Sequence, residues 1–198
     1  ETARLVALQR PLLLWAEDRL HPVRMFHALP FRWVARGATP RNEARFRGTA
    51  LRHEFYALQL AAFAPLAPLQ LRASWGRLVG ERSGARIEAD RLRCVNQPNG
   101  SVAAAEGTYL PRGDVLPLWI GIHVPHDAVP DVYVGSVVVR DAISGFAEAV
   151  KLELEVKSEV ADQMGDSDLW RHSRLRWLDS DVGADETGGG VGGRQVGS

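Results

Sequence analysis

One stretch limits the possible folds more than any other: Leu118 to Val139, L-W-I-G-I-H-V-P-H-D-A-V-P-D-V-Y-V-G-S-V-V-V. Side chains along a strand point alternately to opposite faces. Leu118, Ile120, Ile122 and Val124 therefore share one face, and Trp119, Gly121 and His123 share the other. In the second half, Tyr133, Val137 and Val139 alternate with Val134, Val138 and Arg140. Pro125 and Pro130 bracket the connection, because proline cannot donate to a sheet ladder. The stretch predicts two paired strands of a sandwich.

Other segments extend the same pattern. Leu12 to Trp15 reads as a strand within an N-terminal arm whose two later apolar pieces, Val23–Met25 and Ala28–Val34, are broken by Pro22 and Pro30. The arm is expected to lie along the main domain and lend it an edge strand. Arg45 to Ala50 alternates weakly, whereas Glu54 to Ala64 places Tyr56, Leu58, Leu60 and Ala62 on one side. Its alanines and leucines would also suit a helix. The opening aromatics and the closing Pro65 and Pro68 favour a strand. Leu69 to Trp75 alternates cleanly, and Gly76 to Asp90 reads as a loop. Leu92 to Asn96 is a short strand, Pro98-Asn99-Gly100 a turn, and Ala147 to Val156 the last strand, with Leu152, Leu154 and Val156 inward.

The expected fold is all-β, an antiparallel sandwich of immunoglobulin or fibronectin type. Residues 1–44 form the arm, 45–157 the sandwich, 158–181 a helical or irregular connector rich in Trp and Arg, and 182–198 a flexible glycine-rich tail.

Charge and cysteine content exclude several classes. Lys plus Arg and Asp plus Glu each number 24, so the chain lacks the basic excess of a nucleic-acid binder. Lys151 and Lys157 are the only lysines, and the arginine-rich remainder reads as coding bias. Cys94 is the single cysteine, which rules out an intrachain disulfide and a cysteine zinc site. Pro11 to Trp15 is too short to span a bilayer. Beginning at Glu1, the chain is expected to be a mature or trimmed product, and its compartment stays open.

The order of H-P-V-R-M (from His21), A-L-P-F-R-W (Ala28), E-F-Y-A-L-Q-L (Glu54), R-L-R-C-V-N (Arg91), the Leu118–Val139 hairpin and G-D-S-D-L-W-R-H-S-R-L-R-W-L-D-S (Gly165) is more specific. Over about residues 10–187 it resembles the N-terminal β-sandwich region of glycoside hydrolase-like proteins related to glycoside hydrolase family 123. The resemblance implies a sandwich that precedes a (β/α)8 barrel. In that barrel an Asp-Glu pair cleaves N-acetylhexosaminides with help from the substrate's acetamido group. It also favours an extracellular or secretory setting. A barrel typically takes about 250 residues, so none fits within 198. The chain departs from the pattern at Asp131, where glycine is common, and after Glu186, where glycine repeats begin.

No catalytic constellation emerges. Asp185-Glu186 lies in the tail, where nothing fixes a carboxyl spacing, and Asp179 and Asp181 share the weakness. His123 and His126 lack a third ligand at suitable spacing and straddle Pro125. Ser173 beside His172 is adjacency, not a triad. No metal or cofactor is implied.

Six tryptophans raise the question of sugar stacking. Trp15, Trp33 and Trp75 sit in apolar patterns and read as core. Trp119 is either exposed or covered by the arm. Trp170 and Trp177, with Arg171, Arg174 and Arg176, suit cation–π and carboxylate contacts. Helical spacing would put Trp170, Arg174 and Trp177 on one face, docked on the sandwich or on a following domain. Trp119, Trp170, Arg171, Arg174, Arg176 and Trp177 are therefore the candidate interdomain or glycan contacts. Two functions compete: a non-catalytic accessory domain beside a catalytic barrel, and a stand-alone carbohydrate- or protein-binding module. An autonomous hydrolase has no residue set to support it.

Overall fold

A computed structural model describes residues 2–23, 44–97 and 107–179. Among the described residues, strands take 51% and helical segments 13%, and the fold is an all-β sandwich of two sheets. Ala28–Val34 with Trp33, the Pro98–Gly100 turn, Asp181 and Asp185-Glu186 lie outside the described residues.

A short helix, α1 (Thr2–Ala7), precedes β1 (Leu13–Glu17). The remaining strands are β2 (Ala44–Arg52), β3 (Phe55–Phe63), β4 (Leu69–Trp75), β5 (Leu78–Gly80), β6 (Arg86–Ile87), β7 (Leu92–Cys94), β8 (Thr108–Leu110), β9 (Val115–His123), β10 (Asp131–Asp141) and β11 (Ala147–Val160). The first sheet runs β1-β3-β9-β7 and the second β2-β11-β10-β4-β8, with β5 pairing β10 and β6. The arm thus contributes an edge strand, β1, in register Leu13↔Phe63 to Glu17↔Gln59.

The alternation in the sequence becomes the core. Leu118, Ile120, Ile122 and Val124 are fully buried between the sheets, facing Tyr133, Val137 and Val139 from the other layer. β3 contributes Tyr56, Leu58, Leu60 and Ala62 to the same cluster. Every described pairing is antiparallel except one, β2 with β11, which runs parallel from Val150↔Ala44 to Val156↔Ala50. Glu153 stitches this pair: it meets Arg45, Arg47 (Nε–Oε2 2.7 Å) and Lys151 (Nζ–Oε1 3.1 Å). Arg45 above all, against the opposing push of desolvation and with help from Arg47 and Lys151, holds the Glu153 carboxyl down to about 2.

The segment expected to be a loop, Gly76 to Asp90, instead contains the β5–β6 hairpin. Leu78 and Ile87 are its two fully buried residues, too short an alternation to stand out. Asp131 anchors it. Its Oδ2 accepts from Ser83 N (2.7 Å) and Arg82 N (3.0 Å), and its Oδ1 from Val132 N (2.8 Å). The residue that breaks the family-like glycine pattern is therefore the hub of a tight turn.

The Ser83 N–H and hydroxyl lead in holding the Asp131 carboxyl far below the ordinary range; burial opposes them, and Val132 and Arg82 N–H add to the effect. A lowered folded-state pKa gives stability that is fully present above the unfolded value and is lost as pH falls through the folded one. Wild-type melting temperature is expected to fall below about pH 4. Asp131→Asn should melt lower at neutral pH and show a flatter acid limb in a thermal-denaturation series. An unchanged acid limb would remove Asp131 from this role.

Candidate functional site

The outer face of the first sheet cannot face water. All nine residues of β3 are buried, including Phe55, Ala57, Gln59, Ala61 and Phe63 on the side away from the core. Two covers protect them. At one end, Leu5 of α1 and Val23 pack with Leu13, Ala61, Phe63 and Val115, with Trp15 at the rim. Gln59 ties this cover down: Oε1 accepts from Val23 N (2.8 Å), and Nε2 donates to Asp18 O (2.8 Å) and His21 O (3.3 Å).

The other end is covered by the chain after β11. Its 3-10 turns, Asp162–Gly165, Leu169–Arg171 and Ser173–Asp179, cross the sheet. Trp170 lies over Arg19, just past β1, with the Arg19 guanidinium carbon 5.0 Å from its ring centroid. His172 meets Trp119 of β9, ring centroids 5.9 Å apart. Farther on, Arg93 of β7 lies over the Phe55 ring (5.0 Å) and donates to the Arg176 carbonyl. Trp119 is thus half-buried, and its cover is the C-terminal segment rather than the arm.

A chain of charges locks the segment to the sandwich. Glu54, 0% exposed in the turn before β3, accepts from Arg19 Nη1 (2.6 Å) and Arg171 Nη1 (3.0 Å), and its Oε2 also accepts from Leu51 N (2.8 Å). Arg171 Nε continues to Asp168 Oδ2 (2.8 Å), and Arg19 Nη1 reaches the Arg171 carbonyl (3.2 Å). Arg19 also stacks on Tyr56 (4.3 Å). Burial pushes the Tyr56 phenol up to about 12, the Arg19 charge opposing and Glu54 adding. Within the segment, Arg176 pairs with the buried Asp166 carboxylate through both terminal nitrogens, and Arg174 Nη2 donates to Asp166 O (3.2 Å).

Trp170, Arg174 and Trp177, expected on one helical face, do not lie along one continuous helix. His172 adopts a left-handed φ of 55°, which breaks any helix between Trp170 and Trp177. Arg171 turns inward to Glu54, Trp119 is covered, and Arg174 stays exposed. Trp170 (49% exposed), Trp177 (60%) and neighbouring Leu169 (70%) remain open to solvent. Sequence patterns missed Arg19, Glu54, Arg93 and Asp166, which hold the segment. A carboxylate directly before a nine-residue apolar strand was the one local hint.

The adjacent Ser173 and His172 do not meet as nucleophile and base among the described residues. Ser173 Oγ is buried with no hydrogen-bond partner there, while the His172 ring turns to Trp119. Burial first, then the Arg91 charge, lowers the His123 pKa. A cavity of about 290 Å³, bounded by Asp168, Leu169, Ser173 and Leu175, lies within the segment; that is the small end of ligand pockets. No described helix is long and apolar enough to cross a membrane.

No protein-family model matches the chain, and no curated protein matches it. Among solved structures, a family 123 glycoside hydrolase of Clostridium perfringens, described for glycolipid glycan hydrolysis, aligns with a TM-score of 0.58 and 14% identity over 77% of this chain. The likeness is one of fold. The chain spans only 28% of that hydrolase. The major subunit of Myf fimbriae from Yersinia enterocolitica, in a self-complemented form with galactose, gives a TM-score of 0.39 at 12% identity, over 55% of this chain and 87% of the subunit. An AAF fimbrial structure from enteroaggregative Escherichia coli gives 0.41 at 10% identity, over 57% and 97%. The chain is a β-sandwich distantly related in structure to part of the hydrolase; the fimbrial scores are too low to weigh.

Proposed function

We propose that this chain is a non-catalytic accessory sandwich of a glycoside hydrolase-like protein, supporting or preceding a catalytic barrel. The observation that carries the reading is the aligned 28% of the family 123 hydrolase, which leaves the larger part of that enzyme outside the likeness. The open Leu169, Trp170 and Trp177 side chains, on a segment clamped to the sheet, supply the contact with that neighbour. Large exposed apolar groups on a fixed frame suit an interface.

A second reading is a carbohydrate-binding module, favoured by the two open indole rings and the guanidiniums against them. The purified chain is expected to show no turnover of aryl N-acetylhexosaminides and no retention on a glycan array. The coding frame beyond Ser198 is expected to encode a barrel whose association in trans is weakened by Trp170→Ala with Trp177→Ala. Turnover by the chain alone would overturn the non-catalytic reading. Glycan retention abolished by Trp177→Ala, with the far-UV spectrum unchanged, would replace it with the binding module.

A further inference from the structure

The cavity within the C-terminal segment is lined by a buried hydroxyl that the fold does not use. Chain from Gly165 to Leu169 and from His172 to Leu175 encloses about 290 Å³. Ser173, 1% exposed, is one of the lining residues, and its Oγ makes no hydrogen bond among the described residues. Buried hydroxyls in folded proteins are nearly always paired, because the bonds they made to water are otherwise lost. Gly165 lies against the same oxygen. Its φ of 94° is left-handed, and a Cβ there would sit 2.5 Å from Ser173 Oγ. Glycine therefore keeps the hydroxyl uncrowded.

The other polar groups around the cavity are engaged elsewhere. The Asp166 carboxylate pairs with Arg176, and the Asp166 carbonyl accepts from Arg174 Nη2 (3.2 Å). Asp168 Oδ2 accepts from Arg171 Nε (2.8 Å), and the His172 ring lies against Trp119. Asp168 and Arg174, both exposed, give the mouth one charge of each sign, so it selects for no net charge. Leu169 and Leu175 contribute apolar walls, and most of the lining surface is carbon. A dry apolar cavity of about 150 Å³ takes benzene, so this one has room for a ring with a substituent. The Arg174 guanidinium at the mouth suits the face of an aromatic ring.

We propose that the cavity binds a neutral aromatic ring carrying one hydroxyl, a phenol, with the ring between Leu169 and Leu175 and its hydroxyl paired with Ser173 Oγ. Two sources share that chemistry: a tyrosine side chain offered by another protein or domain, and a free small phenol. The site is independent of the accessory-domain reading, since it needs only this chain.

The test is a titration of the full chain with p-cresol, toluene and N-acetyltyrosinamide, followed in ¹H–¹⁵N spectra. p-Cresol is expected to shift the amides of residues 165–175 saturably and to bind roughly fivefold more tightly than toluene, the ratio one net hydrogen bond supplies. Ser173→Ala should bring that ratio to about one and leave toluene binding in place. The ratio in the unsubstituted protein stands even where the variant folds poorly. N-acetyltyrosinamide binding as tightly as p-cresol would assign the site to a protein tyrosine; weaker binding would assign it to a free phenol. No saturable shift with p-cresol, as for a cavity that holds only water, would overturn the proposal. So would shifts confined to residues outside 165–175, equal affinity for p-cresol and toluene, or a ratio unchanged by Ser173→Ala.

Discussion

Glu54→Ala is expected to cost about 3–5 kcal/mol of folding stability and to release the C-terminal segment, because the carboxylate is fully buried between Arg19 and Arg171. An intact buried ion pair contributes little net, since desolvation offsets attraction; removing one member leaves its partners' charges stranded. Here alanine strands Arg19, only 5% exposed, and unsatisfies the Leu51 N–H as well. A urea titration followed by tryptophan fluorescence measures the cost, and hydrogen exchange across residues 162–177 measures the release. Asp168→Ala is the internal control. Its bond to the same Arg171 is made by a side chain 48% exposed, so its loss should stay within about 1 kcal/mol. Equal costs for the two substitutions would mean that the Glu54 contact is wet and clamps nothing.

This contrast also marks what local sequence can encode. Strand alternation is a near-neighbour property, so Leu118–Val124, Tyr133–Val139 and Leu69–Trp75 announce their buried faces directly. The edge strand at Leu13–Glu17 was legible instead as a short apolar run, Leu12 to Trp15. The β5–β6 hairpin was not, since its burial rests on Leu78 and Ile87 alone and its shape on Asp131, distant in sequence from Ser83. Nor was the parallel β2–β11 pairing, which depends on where a crossing chain returns.

The candidate site was less legible than the fold. Its tryptophans and arginines stood out as residue types, but how the segment is held depends on partners far away in the chain: Arg171 on Glu54, His172 on Trp119, and the Arg176 carbonyl on Arg93. The helical spacing of Trp170 and Trp177 assumed an unbroken helix, and the left-handed His172 breaks it.

Adjacent positions on β9 turn this division into a measurement. Ile120→Ala is expected to destabilise the whole domain by about 2–5 kcal/mol, since Ile120 is fully buried in the central cluster between Leu58 and Cys94 in the registers of β3 and β7. The cost combines lost transfer energy with a cavity that a close-packed interior cannot collapse. One residue earlier, Trp119 lies on the outer face, half-buried, with His172 over its ring. Trp119→Ala removes a larger side chain, yet it faces a cover that can re-settle. Its main effect is expected to be faster exchange in residues 169–177, with a smaller loss of global stability than Ile120→Ala. Chemical denaturation and hydrogen exchange on the two variants separate the effects. The reverse order, with Trp119→Ala unfolding the domain and Ile120→Ala tolerated, would mean that the outer face and its C-terminal cover, not the layer between the sheets, hold this sandwich together.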